Sequence, residues 1–465
     1  MTPPASGDEM NAADGMPQVY TVGPIGGRDV FALIGGVPYQ ITSSGDNFSP
    51  SVTSRRINYV SAAGGVHQES VTLPAEGSVA PFATRLLHII SSGQSLSMGG
   101  TSDAVTMRPP VANRLYTIFD GVRLTDQDAT LTPAMVTPFK PLVAKLSEIP
   151  LVQLSAQLNR LRGLPSDAAL LSSAHGRNGK DIASLGKGTV YYNNAITAVT
   201  AARAEAGRLG LGYRVALVDW IQGEDDCGRP PGAYLADLVR LQADYDTDMR
   251  AITHQSERVP MLLDQISNWT SYGMTDCLVP LEQLQAALDF PDRFACAGPK
   301  YWVPTNTDGR HLTSDSYTRI GAMHARAAMG MISGDAWKPT HAISAKRSGA
   351  TIMLSFHTPF GPLVKDDVNV GDPGNLGIRY IDDSGSAAVK RARVLGDNVV
   401  EVDLTAVPDG ANPYIGIADA GQSGQPGGPF TGARSCLRDS SPDLDAHGRP
   451  VFNWACHQRI PVTPT

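Results

Sequence analysis

The feature that most constrains the fold is an alternation of short apolar runs with helical patterns between residues 84 and 334. The apolar runs are bounded by polar turns and lie at residues 86–90, 168–171, 215–220 and 260–266. Stretches that suit helices lie at residues 191–208, 234–253 and 314–331. Strands that alternate with helices are typical of βαβ units, whose parallel sheet is covered by helices on both faces. We therefore predict an α/β domain over residues 84–335.

Both flanks of this region lack helical periodicity and are rich in turn residues. In the N-terminal flank, segments 30–34 and 37–41 suggest a hairpin around Gly35-Gly36, and 74–81 resembles a linker. Strand patterns recur in the C-terminal flank, at residues 345–355, 377–382, 388–395 and 399–404. We predict a β-rich N-terminal segment with its linker over residues 1–80 and a β-sandwich-like accessory domain over residues 336–465.

Composition indicates a soluble globular protein and argues against two classes of partner. Hydrophobic residues make up 42% and charged residues 18% of the 465 residues, and the net charge is −7 without a long Lys/Arg run. Nucleic acid and anionic membrane surfaces are therefore not expected as partners, since both attract basic surfaces. No apolar run approaches the roughly 20 residues of a membrane helix. Residues 1–18 are not expected to be a Sec-type signal peptide. The compartment thus stays open, with an extracellular or virion-associated location favoured.

The cysteines do not indicate a metal site. The chain has five, at Cys227, Cys277, Cys296, Cys436 and Cys456. None forms a CxxC pair and no Cys/His spacing suits zinc, so no metal and no cofactor are expected. The acidic cluster 224–226 lacks the ligand spacing of an EF-hand loop. Cys436 and Cys456 could bridge a loop, and Cys227 is expected to be a free structural thiol.

Three of the apolar runs lead directly into polar clusters. These clusters are Gly93-Gln94-Ser95, the segment 175–182, and Gln222-Gly223-Glu224. The carboxyl ends of parallel strands lie along one edge of a sheet, and ligands bind in the crevice outside that edge. We therefore expect polar groups from distant parts of the chain to meet in one cleft.

A fourth cluster, at residues 307–313, precedes the last helical pattern. It contains Asp308 and His311, whose spacing lets the carboxylate hold one imidazole nitrogen. The other nitrogen is then free to accept a proton from a serine hydroxyl. Together with Ser95, this pair has the composition of a nucleophilic triad.

Gly93-Gln94-Ser95, Asn178-Gly179, Gln222-Gly223-Glu224 and Asp308-x-x-His311-Leu-Thr resemble the block motifs of SGNH/GDSL hydrolases. The chain is most similar to the branch of sialate O-acetylesterase-like and plant-type carbohydrate acetylesterases, in which a Gln-Gly-Glu motif replaces an Asn block. The likeness spans about residues 84–334. It implies an SGNH-type three-layer α/β/α fold and a serine esterase that hydrolyses O-acetyl esters on a carbohydrate or polysaccharide.

The resemblance also implies a role for each matched residue. Ser95 is the expected nucleophile, His311 the general base and Asp308 the acid that orients it. The backbone N–H groups of Ser95 and Gly179 and the side-chain amide of Gln222 are the expected oxyanion donors, because a tetrahedral intermediate concentrates negative charge.

One departure from the family pattern bears on these donors. Lys180-Asp181 stands where the family commonly has a small or hydroxyl residue, so Gly176 is a second candidate for the oxyanion glycine. Asn178 is the next residue to consider if Gln222 is not a donor.

Other residues near the motifs carry two interpretations each. Gln94 and Glu224 are expected near the substrate or behind the site, and Glu224 is expected to brace the Ser95 loop. His175 and Arg177 either contact sugar hydroxyls or lie in a solvated loop. Three aromatic residues either stack on a sugar ring or pack in the core, namely Trp269, Tyr272 and Trp302.

Two other functions remain open at this stage. One is an esterase of the same superfamily that acts on lipid or aryl esters. The other is a phage-tail or structural glycan-binding protein whose hydrolase domain is silent. An oligomer is possible under each of these functions.

Overall fold

A computed structural model describes residues 83–111 and 113–465 in full and, before them, the backbone of five strands. The five strands form an antiparallel sheet in chain order: β1 (Val19–Val22), β2 (Asp29–Ile34), β3 (Val37–Ile41), β4 (Ser54–Val60) and β5 (Val66–Thr72). The predicted hairpin is present, because Val30 lies opposite Ile41 and Ile34 lies opposite Val37. The predicted linker at 74–81 lies outside the described residues.

The middle of the chain forms a seven-stranded sheet in the order β12-β11-β10-β6-β9-β7-β8. Neighbouring strands are parallel, except that β7 and β8 are antiparallel. The four predicted apolar runs correspond to β6, β9, β10 and β11, and the last run extends one residue beyond β11 at each end. The strands are β6 (Arg85–Gly93), β7 (Leu115–Thr117), β8 (Lys140–Pro141), β9 (Ala168–Ala174), β10 (Gly212–Ile221), β11 (Met261–Gln265) and β12 (Phe294–Pro299).

Helices cover both faces of this sheet. They are α1 (Pro150–Arg160), α2 (Val190–Arg208), α3 (Ala233–Thr253), α4 (Val279–Asp289) and α5 (Ser314–Ser333). Adjacent residues of β6 serve opposite faces: Ile89 packs in the core with α1 and α5, and Ile90 packs in the core with α2, α3 and α4. The predicted three layers are therefore present.

Two of the five helices were missed by the sequence patterns. Helices α1 and α4 are each 11 residues long, and each carries a proline in its first turn. Proline is tolerated at that position because the first N–H groups of a helix have no intrahelical partner. Their short length left too few turns for the periodicity to stand out.

The C-terminal region is built of β-strands, as the strand patterns predicted. Its strands are β13 (His341–Ser348), β14 (Thr351–His357), β15 (Val364–Lys365), β16 (Ile378–Ile381), β17 (Val389–Gly396), β18 (Val399–Leu404), β19 (Tyr414–Ile417), β20 (Leu437–Arg438) and β21 (Gln458–Pro464). Seven form one sheet, in the order β16-β19-β21-β13-β14-β18-β17, and β15 pairs with β20 alone. The final strand β21 pairs with β13 on one side and with β19 on the other, and the strands on both sides share one hydrophobic core. The sandwich-like arrangement stays a prediction.

Candidate active site

Ser95 lies immediately after β6, in a tight turn at the carboxyl edge of the sheet. Gly93 ends the strand at φ +137°, and a Cβ there would lie 2.0 Å from the carbonyl oxygen of Ile221, so only glycine fits. The N–H of Gly100 donates to the carbonyl of Ser95 over 2.8 Å and closes the turn. The turn therefore presents Ser95 at the point where β6 and β10 end.

Asp308 and His311 form a hydrogen-bonded pair in the loop before α5. One carboxylate oxygen of Asp308 lies 2.6 Å from Nδ1 of His311, and the other accepts the backbone N–H groups of Arg310 and His311, each over 2.9 Å. Partial burial opposes ionisation of Asp308, yet the hydrogen bonds from His311 and the backbone hold its pKa below the usual value. The ionised Asp308 therefore holds the imidazole through Nδ1 and leaves Nε2 unoccupied by this carboxylate.

Ser95 and His311 lie on either side of Gly100. A Cβ built on Gly100 would lie 2.9 Å from Cδ2 of His311 and 3.0 Å from Cβ of Ser95. Those distances limit the separation of these two side-chain atoms to about 6 Å. A larger residue at 100 would push the two side chains apart. The structure thus brings the three predicted triad residues to one place.

Gln94 connects the Ser95 turn to the loop after β10. Its side-chain oxygen accepts the N–H groups of Gly223 and Asp225 over 3.3 and 3.4 Å, and the residue is buried. The bracing role expected of Glu224 therefore belongs to Gln94. These hydrogen bonds favour the second interpretation of Gln94, a position behind the site, and its role stays a prediction.

Gln222 is fully buried and its amide is occupied. Nε2 donates to a carboxylate oxygen of Asp226 over 2.5 Å and to the carbonyl of Lys180 over 3.2 Å. Its Oε1 accepts the hydroxyl of Tyr234 over 3.0 Å. An amide carries two hydrogens, so none is left for an oxyanion in this arrangement. The predicted donor role of Gln222 is corrected on this ground: the side chain holds the loop that carries Gly179.

The two candidate oxyanion glycines have different surroundings. Gly179 is exposed at φ +62°, and a Cβ there would meet nothing within 4 Å. Gly176 is buried, and a Cβ there would lie 2.4 Å from the carbonyl oxygen of Gly93 and 2.5 Å from Oγ of Ser97. Gly176 therefore packs against the Ser95 turn, while Gly179 borders open space.

The structure does not place His175 where a sugar could reach it. His175 is buried, and Nε2 lies 2.8 Å from Oγ of Ser173. Burial lowers the pKa of His175 to about 3, so the ring is neutral. Arg177 is partly exposed but is held by Asp128 through two 2.8 Å contacts. The proposal of a sugar contact is corrected for His175 and stays a prediction for Arg177.

A chain of buried charged groups lies behind the site. His324 on α5 lies 2.8 Å from Asp219 and 3.3 Å from Asp264, and Lys300 lies 2.6 Å from Asp264. Nζ of Lys300 also lies 4.0 Å from Glu224, whose carboxylate oxygens have no hydrogen-bond partner among the described residues. We call these five side chains the buried charge network. Its approach to Lys300 makes Glu224 of the Gln-Gly-Glu motif a member of this network, and burial raises the pKa of its carboxyl group.

Sequence reasoning missed four members of this network. The signal was present, because Asp219 and Asp264 are charged residues inside apolar runs that become buried strands. A charge at such a position has to be paired. The partners, His324 and Lys300, come from later elements, so the pairing could not be found from spacing.

Of the three aromatic residues near the motifs, two are buried and one is exposed. Trp269 and Trp302 are buried, whereas Tyr272 is 38% exposed. The guanidinium of Arg310, next to His311, lies 4.5 Å from the ring centroid of Tyr272. Trp269 and Trp302 thus pack in the protein, whereas Tyr272 is an exposed aromatic residue near the Asp308–His311 pair.

The cysteine predictions were wrong in their pairing. Cys227 forms a disulfide with Cys277, while Cys436 and Cys456 are buried free thiols. The bond joins the loop after Gln222-Gly223-Glu224 to the loop before α4. Within residues 83–111 and 113–465, no group of three or more His, Cys, Asp or Glu side chains is placed to hold a metal ion. No helix in the same part of the chain is long and apolar enough to cross a membrane.

Comparison with known proteins finds a solved structure with the same fold. No protein-family model and no curated protein matches the chain. The solved structure of XAC1771, a carbohydrate acetylesterase from Xanthomonas citri, aligns over 94% of this chain and 91% of that one, with a TM-score of 0.52 and 14% identity. The chain shares the fold of XAC1771.

Two other solved structures align with a smaller part of the chain. NanS covers 55% of this chain and 98% of its own, with a TM-score of 0.37 and 12% identity. A protein from Arabidopsis thaliana covers 53% of this chain and 98% of its own, with a TM-score of 0.37 and 17% identity.

Proposed function

We propose that the protein is a serine esterase that hydrolyses O-acetyl esters on a carbohydrate. The observation that carries the proposal is the Asp308–His311 pair, joined at 2.6 Å and placed beside Ser95 across Gly100. A serine, an imidazole and an ionised carboxylate placed close together are the parts that acyl transfer to a serine requires.

In the proposed reaction, Oγ of Ser95 attacks the acetyl carbonyl and Nε2 of His311 takes the hydroxyl proton. The tetrahedral intermediate collapses as His311 returns the proton to the sugar oxygen, which leaves as an alcohol. Water then attacks the acetyl-serine while His311 takes its proton, and the second tetrahedral intermediate collapses as His311 gives that proton to Oγ of Ser95 and acetate is released. Asp308 keeps the imidazole in one tautomer and stabilises the imidazolium that forms in each half-reaction.

The proposed oxyanion donors are the backbone N–H groups of Ser95 and Gly179, with Gly176 as the second candidate glycine. Gln222 would act through the loop, because its amide holds the carbonyl of Lys180, the residue that follows Gly179. Such preorganised donors lower the energy of the developing negative charge without reorganising during the reaction.

The carbohydrate part of the proposal is supported by the fold shared with XAC1771, a carbohydrate acetylesterase. The exposure of Ser95 agrees with a small acyl group, because the residue is only 7% exposed and a long acyl chain would need a wider opening. No observation on the described residues favours lipid or aryl esters over sugar esters.

The test is acetate release from a panel of O-acetylated polysaccharides, measured by mass spectrometry, with p-nitrophenyl acetate as a generic ester. Ser95→Ala and His311→Ala should each abolish both activities, and the double variant should lose no more, because triad members act as a unit. His447→Ala, an exposed histidine outside the triad, is the matched control. A Ser95→Ala protein with wild-type turnover would refute the proposal.

A further inference from the structure

A segment of the C-terminal β region contacts the loop between β12 and α5, which carries the proposed catalytic pair. The segment consists of residues 424–428, follows β19 in the chain, and is called the clamp segment below. The N–H of Gly427 donates to the carbonyl of Gly309 over 3.1 Å, and the hydroxyl of Thr305 donates to the carbonyl of Gly427 over 2.9 Å. Both backbone polar groups of Gly427 are thus bound to the catalytic loop.

The contacted part of the loop is a closed turn that contains the whole catalytic pair. Gly309 stands between Asp308 and His311 in the chain. The N–H of Asn306 donates to the carbonyl of His311 over 2.6 Å, and the N–H of Gly309 donates to the carbonyl of Asn306 over 2.9 Å. Because these bonds close the turn over residues 306–311, a contact that holds Gly309 also fixes the position of the pair.

The clamp segment packs against the turn and the loop after β11 at very short distances. A Cβ built on Gly309 would lie 2.9 Å from Cβ of Pro426, and one built on Gly427 would lie 2.9 Å from Cβ of Asn268. Both distances are well below the ~3.5–4.0 Å of a favourable carbon–carbon contact. The side chain of Asn268 in turn donates to the carbonyl of Arg310 over 2.8 Å. Glycine at positions 309 and 427 therefore allows this close packing.

The clamp segment is itself bound to the α/β domain. The hydroxyl of Thr270 donates to the carbonyl of Gln425 over 2.7 Å, and the N–H of Gly424 donates to the carbonyl of Thr270 over 2.8 Å. Thr270 is fully buried in the loop after β11. The segment therefore has a defined position relative to the parallel sheet, and it transmits that position to the catalytic turn.

The neighbours of both proposed catalytic residues pack around the same space as the clamp segment. This space is a cavity of about 10 Å³. Its lining includes the residue after Ser95, the residue after His311 and two glycines of the clamp segment, namely Leu96, Leu312, Gly427 and Gly428. A cavity of this size holds at most about one water molecule. The serine turn and the histidine turn are therefore packed closely around one segment of the β region.

We propose that the clamp segment positions His311 against Ser95, so that the C-terminal β region is part of the catalytic unit. The hydrogen bond between Asp308 and His311 lies within the turn, so it fixes the imidazole ring without fixing its distance from the serine. That distance depends on what the turn is bound to, and a misplacement of about 1 Å can cost about 100-fold in rate. The positioning role rests on the proposed esterase function, whereas the contact between the clamp segment and the turn does not.

The hydroxyl of Thr305 offers a test on the whole protein. Thr305→Val keeps the shape of the side chain but removes the donor to Gly427. We expect kcat for p-nitrophenyl acetate to fall about tenfold or more at unchanged KM, and Thr305→Ser, which retains the hydroxyl, to keep the wild-type kcat. The pH midpoint of kcat/KM should not move, because the hydrogen bond between Asp308 and His311 stays intact.

Thr358→Val is the matched control for this substitution. Thr358 is half-buried like Thr305, and its hydroxyl donates to the carbonyl of Gly361 over 2.7 Å within the β region. Its kcat should equal that of the wild type. A loss of kcat that Thr305→Ser shares, or one that follows the loss of thermal stability equally in both valine variants, would give Thr305 a structural role and overturn the proposal.

Amide hydrogen exchange, followed by mass spectrometry, tests the contact without any ester. Thr305→Val should raise deuterium uptake in residues 305–313 and in residues 424–428, whereas Thr358→Val should leave both unchanged. Unchanged uptake in Thr305→Val, or raised uptake with a wild-type kcat, would overturn the proposal.

The two proposals fail in different ways. A Ser95→Ala protein with full turnover would refute the esterase, and the positioning role would fail with it. The exchange measurement alone would then decide whether the clamp segment holds the turn. If Ser95→Ala is inactive and Thr305→Val keeps its kcat, the esterase stands and the positioning role is wrong.

Discussion

Nε2 of Gln222 lies 2.5 Å from a carboxylate oxygen of Asp226, four residues later in the chain, and both side chains are buried. The same carboxylate oxygen of Asp226 accepts the N–H of Ile182 over 2.8 Å. The loop after β10 and the loop that carries Gly179 are thus held together by one amide and one carboxylate.

This relationship predicts that Gln222→Ala should lower both the stability of the protein and its activity. We expect a lower unfolding free energy, by about 1–3 kcal/mol for the buried partner left unpaired, together with lower kcat. Asp226→Asn should reproduce both losses, as measured by urea denaturation and initial rates. A donor acting only on the oxyanion would behave differently. It would lower kcat about 100- to 1000-fold without changing stability, and Asp226→Asn would then leave kcat intact.

Asp308→Asn should separate orientation from substrate binding. The amide oxygen of the asparagine can still accept the backbone N–H groups of Arg310 and His311. The amide nitrogen, however, replaces the ionised oxygen that accepts the N–H at Nδ1 of His311, so the imidazole is no longer held in the required tautomer. We expect kcat to fall by up to about 10⁴-fold with little change in KM. Asp335→Asn, an exposed aspartate at the far end of α5, is the control. A variant whose KM rises while kcat stays normal would contradict the assignment.

Lys300→Met should strongly destabilise the protein. Lys300 and Asp264 are almost fully buried and lie 2.6 Å apart, so removing the ammonium leaves a buried carboxylate with less compensation. Loss of one partner of a buried ion pair costs about 3–5 kcal/mol. Lys145→Met removes an exposed ion-pair partner instead, and its chemical denaturation curve should match that of the wild type. Equal midpoints for both variants would argue against a charged pair at this position.

Stability should also fall in alkaline solution because of His324. Burial alone would lower the pKa of His324, but the carboxylates of Asp219 and Asp264 raise it from 6.5 to about 9. The folded state therefore binds the proton more tightly than the unfolded state. Its stabilising contribution is complete below the unfolded value of 6.5 and is lost as pH rises through about 9.

The measurement is the unfolding free energy of the wild-type protein between pH 6 and pH 10. A decline across this window, with the imidazole resonances of His324 titrating near its upper end in NMR spectra, would support the charged histidine. A flat profile, with His324 titrating near its unperturbed value, would count against it.

Reduction of the Cys227–Cys277 disulfide should weaken the fold around the site. The bond closes a segment with a sequence separation of 50, and chain-entropy estimates give roughly 4 kcal/mol for a loop of this length. Urea denaturation with and without dithiothreitol should show this loss. The Cys227→Ala/Cys277→Ala protein should be insensitive to the reductant, because the other cysteines are free thiols. A reductant effect that persists in the double variant would point to another cause.

The arrangement of the α/β domain followed from local patterns. The runs that become β6, β9, β10 and β11 are apolar at most successive positions, as strands covered on both faces are. Parallel topology then brings their carboxyl ends to one edge. For the same reason Ser95 and the Asp308–His311 pair could be selected without coordinates: each stands in a short motif beside a predictable element. The fold shared with XAC1771 agrees with this arrangement.

The amino-acid sequence by itself therefore determined the order of elements and the identity of the three proposed catalytic residues, because both depend on residues close together in the chain. Only the tertiary structure decided the rest. The pairing of Cys227 with Cys277, the engagement of Gln222 by Asp226 and the partners of Asp264 depend on contacts between distant segments. Spacing carries no information on which distant segment packs against a given side chain, whereas burial makes an unpaired charge or amide too costly and so selects one partner.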